Sequence, residues 1–424
     1  IDGYLDCPSR EQRSYLGDAY PEALLAFACF GEGGLTHKLI YDTAFGQRED
    51  GITFSFHPGD AREQTHIIPD YCLYWIQLIW EYFMYQGDDE NFTMLKDLYP
   101  RILNAMKWFE KYFDPKTHLL TDLPYWIFVD WSSIDKNGAI AIINAQYADC
   151  CRIVSKIGRI IGEASYSLYY FKLAKKIERS IEEIFWDNEL QVYRDCFKDG
   201  KFGEQITQHT NGYLMLKNLV PKEKRAHLFG AIFDRPEEEI KKQLWSYSKQ
   251  YTSKYQKGID VLVAQPFFMH HLNKLFAEMD RIDVMFRYFE WGWLPMLEHG
   301  KIKTIWETWR PHGSQCHAWA ATPAFDLSTH ILGISPAEPG FKKIQIKPHY
   351  GPLKYAKGMF PTVRGNISLE WIMLNDKMVQ FNIKIPKETS ALFYPPKLNG
   401  QLPENMKSHK EITDLESEII LKYE

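Results

Sequence analysis

The sequence predicts a mainly α-helical protein, an α/α toroid, followed by a C-terminal antiparallel β-sandwich. Helical periodicity runs in successive pairs of segments from about Pro21 to Leu332, which is too many helices for a bundle. After Pro339 the pattern changes to period-two alternation between turn signals, which is typical of antiparallel strands with one solvated face. We therefore expect a helical domain at residues 1–335 and a β-sandwich domain at residues 336–424.

The helical segments are separated by breakers such as Gly162 and Pro221, and Gly333 is the expected stop of the last one. In a toroid the inner helices supply the core, and the loops at one end line a funnel. The absence of a short sequence repeat disfavours a regular solenoid. The predicted segments are Ile67–Tyr85, Asn91–Phe113, Ile140–Ile161, Ser165–Phe185, Ile206–Leu219, Lys222–Phe233, Gly258–Met279, Arg281–Tyr288 and His317–Leu332.

Three segments of the C-terminal part alternate between apolar and polar residues: Lys342–Lys347, Asn366–Trp371 and Met378–Ile385. A turn at Leu374–Lys377 separates the last two. The domain boundary is expected between Ser335 and Gly340.

Composition excludes several classes of protein. The 50 basic and 55 acidic residues give a net charge of −5 without a long basic run, which argues against nucleic-acid binding. No stretch approaches the roughly 20 apolar residues of a membrane span. The seven cysteines form no CxxC pair, and the adjacent Cys150 and Cys151, in an apolar helical segment, are expected to be buried free thiols. The chain starts at Ile1, so a piece of a longer protein is expected; localisation and oligomeric state stay open.

Metal and cofactor sites are not expected either. No cluster of His, Cys and Asp has zinc spacing. His270 and His271 are adjacent in a helix-like segment, where neighbouring side chains point apart, so they are expected to be poor ligands for one metal. The sequence therefore predicts neither a metal nor a cofactor.

Aromatic residues are abundant, with 13 Trp, 25 Tyr and 26 Phe. One interpretation is a large core. The other is a cleft in which aromatic faces stack on the apolar C–H faces of sugar rings. Composition does not separate the two interpretations.

Two segments carry candidate chemistry. The first runs from Asp6 to Asp18 (DCPSREQRSYLGD) and packs five charged residues into a loop shaped by proline and glycine. It is either a solvated charged loop or a site where mixed charges perturb a carboxyl group. The second is Thr304–Trp309 (TIWETW), followed by Ser314–His317 (SQCH). Its Glu307 lies between two Trp residues, either as an exposed residue of a packed aromatic segment or as a carboxylate beside a sugar-stacking wall.

These two segments resemble the signatures of glycoside hydrolase family 78, the α-L-rhamnosidases, which read roughly D-C-P-x-R-D-E-R-x-G-W-x-G-D-A and T-T-x-W-E. Weaker similarities cover nearly the whole chain. They are Asp50-Gly-Ile with Pro58, Gly87-Asp88, Tyr99-Pro100, Asp130-Trp131, Leu332-Gly333-Ile and Pro339-Gly-Phe341. The resemblance implies an (α/α)6 toroid and an inverting mechanism in which one Glu donates a proton to the leaving oxygen and another activates water. It implies a carbohydrate substrate and no cofactor.

The resemblance assigns the general base to Glu307. The general acid depends on register, because the first loop is one residue shorter than the family pattern. Counting forward from Asp6 places the acid on Gln12, which has no carboxyl group to protonate. Counting backward from Asp18 places it on Glu11. A deletion between Arg10 and Glu11 keeps a carboxyl group in register, so Glu11 is the expected acid.

The family's sugar contacts carry over, by resemblance, to a set of polar and aromatic residues. The expected substrate-binding residues are Asp6, Arg10, Tyr15, Asp18, Asp130, Trp131, Trp306 and His317. Tyr15 stands where the family has Trp, and Cys316 where many members have Asn, and both differences could alter the sugar subsite.

The leading hypothesis is an exo-acting, inverting hydrolase of terminal α-L-rhamnose or a related sugar. Two alternatives stand beside it. A polysaccharide lyase on the same fold would usually need a Tyr or His base near a uronate clamp rather than paired Glu residues. A catalytically degenerate homologue that binds glycan without cleaving it is suggested by the altered acid loop. Turnover of an aryl α-L-rhamnoside would discriminate among the three.

Overall fold

The computed structural model describes residues 2–57, 66–87, 89–245, 253–254, 260–299 and 302–424. Pro58, Asp88 and Gly258, which take part in the sequence predictions, lie outside the described residues. Within the described ranges, no helix combines the length and apolar character that a membrane span requires.

The first domain is built from α-helices, numbered here in chain order. They are α1 Leu16–Phe30, α2 Gly34–Phe45, α3 Pro69–Gln86, α4 Asp89–Glu110, α5 Ala141–Ile161, α6 Ala164–Phe185, α7 Gln208–Leu216, α8 Lys222–Phe233, α9 Glu237–Trp245, α10 Met269–Glu278, α11 Ile282–Tyr288, α12 Leu294–His299 and α13 Thr322–Asp326.

Six of these helices close a ring, because α1, α3, α5, α7, α10 and α13 each contact the next and α13 returns to α1. Inner and outer helices differ in burial. The inner α3 buries nearly all of its residues, since it is apolar on every side. The outer α6 buries one stripe and exposes the rest. The predicted toroid of helical hairpins is therefore confirmed.

Two predicted helices differ from the structure. The segment Gly258–Met279 is helical only from Pro266, because Asp260–Val261 pairs with the short strand Ser253–Lys254. The segment His317–Leu332 is divided into a 3₁₀ turn at Ala318–Ala320, α13, and a π-helical turn at Leu327–Ile331.

The last helical segment stops before Gly333, as expected, and this glycine has a φ of 78°. A Cβ at this position would lie 2.1 Å from the carbonyl carbon of Lys347, so only glycine fits the close approach of the two segments.

The helical domain also contains short strands, before α1 and in the connections between its helices. Ser14–Tyr15 pairs with Phe56–His57 just before α1. The other pairings are Ala139–Ile140 with Cys196–Lys198, Cys196–Lys198 with Lys201–Phe202, and Trp186–Asp187 with Val192–Tyr193. These segments have two or three residues each, too few to produce a readable alternation in the sequence.

The C-terminal domain consists of two four-stranded sheets. Its strands are β1 Ile334–Pro336, β2 Lys343–Ile346, β3 Tyr355–Thr362, β4 Gly365–Asn375, β5 Met378–Lys384, β6 Ser390–Phe393, β7 Lys410–Ile412 and β8 Glu416–Lys422. One sheet has the order β1-β2-β6-β7 and the other β3-β4-β5-β8. All pairings are antiparallel except β2 with β6, which is parallel.

The alternation of apolar and polar residues along the strands explains which side chains form the core of this domain. Along β5 the residues Val379, Phe381 and Ile383 are buried while their neighbours are not. Phe381 meets Phe393 of the other sheet with ring centroids 5.1 Å apart. The predicted C-terminal domain of antiparallel strands is therefore confirmed.

The β domain packs against the C-terminal ends of the inner helices. Gly31, which caps α1, lies against Pro361 of β3. Tyr85, near the end of α3, contacts Phe341 with ring centroids 5.7 Å apart. The opposite, N-terminal ends of α1 and α3 are therefore left open to form a site.

Aromatic and histidine rings fill the axis of the toroid. His270 and His271 do not point apart as expected, because their ring centroids are 3.8 Å apart. Burial lowers the pKa of His270 to about 3, so both rings can pack as neutral groups. His271 Nε2 lies 3.2 Å from the Tyr74 hydroxyl. We interpret the pair as part of the buried core.

Candidate active site

A cavity of about 200 Å³ opens at the N-terminal ends of α1 and α3. It is lined by residues of both sequence motifs and by residues that the sequence did not indicate. The predicted residues on its wall are Asp6, Arg10, Glu11, Tyr15, Asp18, Trp131, Glu307 and His317. The wall also contains Arg13, His66, Ile68, Tyr71, Trp126, Phe128 and Trp319.

The first motif begins as a closed loop over residues 6–13 and continues into α1. The Asp6 amide donates to the Arg13 carbonyl at 3.1 Å, and the Arg13 amide donates to Asp6 Oδ1 at 2.7 Å. These two bonds draw the ends of the loop together and present the residues between them at the cavity. Gln12 adopts a φ of 56° and turns its side-chain amide to the Pro8 carbonyl at 2.5 Å. Glu11, not Gln12, thus faces the cavity.

Glu307 is buried and its carboxylate accepts hydrogen bonds on both oxygens. Arg10 Nη2 donates to Oε1 at 3.0 Å and to Oε2 at 2.9 Å. Trp131 Nε1 donates to Oε1 at 3.0 Å, and the Ser314 amide donates to Oε2 at 2.7 Å. Charge-assisted bonds of this kind hold an anion in one orientation.

The loop around Glu307 depends on a glycine. Gly313 has a φ of 84°, and a Cβ on it would lie 2.4 Å from Glu307 Oε2 and 3.5 Å from Arg10 Nη1. The adjacent backbone closes on itself, since the Glu307 amide donates to the Ser314 carbonyl at 2.9 Å. Gly313 therefore gives the carboxylate room while the backbone fixes its position.

The two glutamates share Arg10. Its Nη2 lies 3.3 Å from Glu11 Oε1 and 2.9 Å from Glu307 Oε2. Those oxygens are thus separated by at most the two distances combined, which is shorter than the roughly 6.5–9.5 Å between the carboxyls of an inverting pair. Glu11 is 38% exposed, against 4% for Glu307. Glu11 is the more loosely held carboxyl group.

The floor of the cavity is polar and buried. His317 Nε2 lies 3.1 Å from Asp18 Oδ1, which joins the second motif to the first. Burial raises the pKa of Asp18 to about 6, an effect that the contact with His317 opposes and the nearby Asp6 increases. Among the residues that the structure describes, Asp6 Oδ2 has no hydrogen-bond partner. Such groups can accept hydrogen bonds from hydroxyl groups of a bound ligand.

Asp6, Cys7 and His317 are the one group within the described ranges whose metal-ligand atoms come together, within 4.8 Å of one another. Asp6 and His317 each have one of their two ligand atoms engaged, whereas Asp6 Oδ2 and His317 Nδ1 have no hydrogen-bond partner among the described residues. Asp6 Oδ1 accepts the Arg13 amide, and His317 Nε2 contacts Asp18. We therefore interpret the group as a hydrogen-bonding floor.

Two predicted substrate-binding residues do not line this cavity. Asp130 is buried, and its carboxylate accepts the amides of Trp131 and Gln265 and contacts His209 Nε2, each at 2.7 Å. Asp130 therefore holds the backbone of Trp131, which does line the cavity. Trp306 is buried and packs edge to face on Trp245, with centroids 6.3 Å apart.

The loop before Trp131 contributes residues that sequence reasoning missed. The Phe128 and Val129 amides donate to the two carboxylate oxygens of Asp70 at 3.1 and 2.8 Å. Lys136 Nζ donates to the carbonyls of Ile127 and Phe128 at 2.7 and 2.8 Å. The fully buried Asp70 begins α3, and an Asp at a helix start is an ordinary feature that gave no signal of this role.

Tyr15 closes one side of the cavity beside Glu11. Burial raises the pKa of its hydroxyl, and the hydrogen bond to Glu11 raises it further. Tyr15 therefore stays neutral and acts as a hydrogen-bond donor.

The closed ring of inner helices and the glutamate-containing cavity at one of its ends define a six-hairpin glycosidase domain. Residues 1–328 match the family model of the bacterial α-L-rhamnosidase six-hairpin glycosidase domain, and residues 333–410 match that of the bacterial α-L-rhamnosidase C-terminal domain. The chain belongs to the bacterial α-L-rhamnosidase family, which confirms the family predicted from its motifs.

Comparison with individual proteins agrees with this assignment. An α-L-rhamnosidase from Alteromonas sp. (strain LOR) is 24% identical over 92% of this chain and 41% of its own length. The structure of a family 78 rhamnosidase from Bacillus sp. GL1 superposes with a TM-score of 0.79, at 21% identity, over 95% of this chain and 40% of that one. The α-L-rhamnosidase of Streptomyces avermitilis, complexed with L-rhamnose, superposes with a TM-score of 0.76 at 18% identity. The superposition covers 99% of this chain and 39% of that one. The chain thus spans about two fifths of these relatives.

Proposed function

We propose that this chain is the catalytic part of an exo-acting α-L-rhamnosidase, which releases terminal α-L-rhamnose or a closely related sugar with inversion of configuration. The observation that carries the proposal is the meeting of Glu11 and Glu307, from distant motifs, at one cavity with a buried polar floor. The L-rhamnose bound to the Streptomyces avermitilis relative supports the choice of sugar.

Glu307 fits the general base. Its carboxylate is buried, and Arg10, Trp131 and the Ser314 amide hold it in one orientation. A water between this carboxylate and the anomeric carbon would lose its proton to Glu307 as it attacks. Positioned bases typically contribute about 10²–10⁴-fold to a rate.

Glu11 fits the general acid, which protonates the leaving oxygen on the other face of the sugar. Its single contact with Arg10 is longer than the contacts that Arg10 makes with Glu307. In the free protein the Arg10 guanidinium occupies the gap between the two carboxyls. A sugar that accepts hydrogen bonds from Arg10 would draw the guanidinium out and admit the water that inversion requires.

The shape of the cavity supports action at a chain end. The buried Asp6, Asp18 and His317 close its inner end, so a sugar that enters has no exit on that side. Asp6 Oδ2 and the Asp18 carboxylate can accept hydrogen bonds from sugar hydroxyls. A closed subsite of about 200 Å³ suits one terminal sugar unit.

The alternatives gain less support. A lyase would usually need a Tyr or His base near a uronate clamp. Burial raises the pKa of Tyr15 and Glu11 adds to the effect, while His317 contacts Asp18 and His66 contacts Arg13. A degenerate binding protein would not need two carboxyls at the same cavity, and Glu11 keeps a carboxyl there despite the shortened loop.

Turnover of an aryl α-L-rhamnoside tests the proposal. The wild-type chain should release the sugar, and Glu307→Gln should lower the rate by about 10²–10⁴-fold with the fold intact. Glu204→Gln, at an exposed position away from the cavity, is the matched control and should keep the wild-type rate. An active Glu307→Gln enzyme, or a wild-type chain without turnover, would overturn the assignment.

A further inference from the structure

Two large aromatic side chains stand exposed at the rim of the cavity. Trp126 is 47% exposed and Trp131 is 45% exposed, although both line the cavity. Their ring centroids are 5.9 Å apart and their planes are inclined at 42°. Phe128 supports both rings edge to face, at 5.4 Å from Trp126 and 5.1 Å from Trp131. The two tryptophan rings, supported by the buried Phe128, form an apolar corner that faces solvent.

The backbone that carries this corner is strained. Asp122, Tyr125 and Val129 adopt φ values of 45°, 71° and 58°. Left-handed conformations of residues other than glycine are uncommon, and a β-branched residue such as Val129 adopts one rarely. Strained conformations of this kind persist where the surroundings over-determine them, and they cluster at functional sites.

The strained loop is held by two charged groups, the buried Asp70 and the partly buried Lys136. Asp70 accepts the Phe128 and Val129 amides, and Lys136 donates to the carbonyls of Ile127 and Phe128. Burial lowers the pKa of the Lys136 ammonium, which shows that placing it there is unfavourable by itself. Four hydrogen bonds to Asp70 and Lys136 therefore hold the loop that carries Trp126.

The position of the corner indicates what it contacts. The inner end of the cavity is closed by buried polar side chains, whereas Trp126 and Glu11 lie at the open end. If Glu11 protonates the leaving oxygen, the group attached to that oxygen extends through the open end. A leaving group that bears a ring would then reach Trp126.

Resting on the proposed function, we propose that Trp126 forms, with Trp131, the acceptor-side subsite of this enzyme. The subsite binds a leaving group with a flat apolar ring face, either an aryl group or the C–H face of a second sugar. Trp131 also holds Glu307 through its indole N–H, whereas Trp126 forms no hydrogen bond with Glu11 or Glu307. Trp126 is thus the residue that selects the leaving group.

Paired substrates test this role. Methyl and benzyl α-L-rhamnoside leave as alcohols of similar acidity, so the ratio of their kcat/KM values isolates the contribution of the ring. An aromatic contact corresponds to a few-fold to about ten-fold in an equilibrium constant. In Trp126→Ala the benzyl-to-methyl ratio should fall roughly 3- to 10-fold, while the inhibition constant of free L-rhamnose stays within about two-fold of wild type. A rhamnosyl-glucose disaccharide, compared in the same way, separates sugar stacking from aryl stacking.

Two variants control for damage to the loop. Tyr125→Ala removes an exposed ring of the same loop that stacks on Trp108, away from the cavity, and should leave the ratio unchanged. Trp126→Phe keeps an apolar ring face and should recover part of the ratio.

The possible results distinguish failure of the acceptor-side role from failure of the proposed function. Loss of the same factor on methyl and benzyl substrates, a matching loss in Tyr125→Ala, or weaker binding of free L-rhamnose to Trp126→Ala would overturn the acceptor-side role while leaving the hydrolase intact. A wild-type chain that cleaves none of these substrates would overturn the proposed function and the subsite with it.

Discussion

Replacement of Asp70 by Asn tests whether the frame behind Trp131 is held by charge. Asp70 is fully buried and accepts one backbone amide on each carboxylate oxygen. Asn has the same shape, but its side chain offers one oxygen and one NH₂ group. One of the two amides, Phe128 or Val129, must then face another donor without an acceptor.

The expected loss in the free energy of unfolding follows from these contacts. A hydrogen bond to a charged group contributes about 1.5–3 kcal/mol, and a buried amide left unsatisfied costs about 1–3 kcal/mol. We therefore expect Asp70→Asn to lower the free energy of unfolding by roughly 3–5 kcal/mol. Activity should fall as well, because Trp131 would lose its fixed position beside Glu307.

Urea unfolding followed by fluorescence measures the change in stability. Asp114→Asn is the matched control, because Asp114 also accepts a backbone amide, that of Lys116, but near the surface, and it should cost less than about 1 kcal/mol. In the double variant Asp70→Asn with Lys136→Met, the losses should not add, because the Lys136 ammonium no longer lacks its counter-charge. A loss below about 1 kcal/mol for Asp70→Asn would refute the charge-held frame.

Three further predictions concern the site itself. Gly313→Ala should reduce kcat without unfolding the chain, because its Cβ would lie 2.4 Å from Glu307 Oε2; unchanged kinetics would contradict this. Asp18 has a pKa of about 6 in the fold, raised by burial, so the folded chain keeps a proton that the unfolded chain loses above its usual value of 3.8. As pH rises from 4 to 7 the wild type should therefore lose on the order of 3 kcal/mol of stability relative to Asp18→Asn, and parallel unfolding curves would contradict this. Glu11→Ala should lose much more activity on alkyl than on activated aryl rhamnosides, whereas Gln12→Ala should show no such dependence; the reverse pattern would reassign the acid.

Much of the fold follows from periodicity, because inner helices such as α3 are apolar on all sides and outer helices such as α6 are amphipathic. The differences lie where tertiary contacts override local preference. Residues Asp260–Val261 pair with a short strand instead of extending α10, and that pairing has no local signal.

The candidate site was predictable where both residue type and motif spacing carry information, as for Glu11 and Glu307. The roles of Asp70 and Lys136 were not, because they depend on backbone groups that local sequence does not place. Trp306 shows that a position next to a site residue in the sequence does not place a side chain in the site. It adjoins Glu307 in sequence, but its ring packs on Trp245 instead of lining the cavity.

The stereochemistry of the first product tests the central claim, that Glu11 and Glu307 act on opposite faces of one α-L-rhamnosyl unit with a water between them. Proton NMR during early turnover of an aryl α-L-rhamnoside resolves the two anomers before they equilibrate. Inversion predicts that β-L-rhamnose appears first and that the α anomer follows by slow mutarotation. Initial release of α-L-rhamnose would show retention, with the two carboxyls about 5–5.5 Å apart and one of them acting as a nucleophile, and would contradict the account.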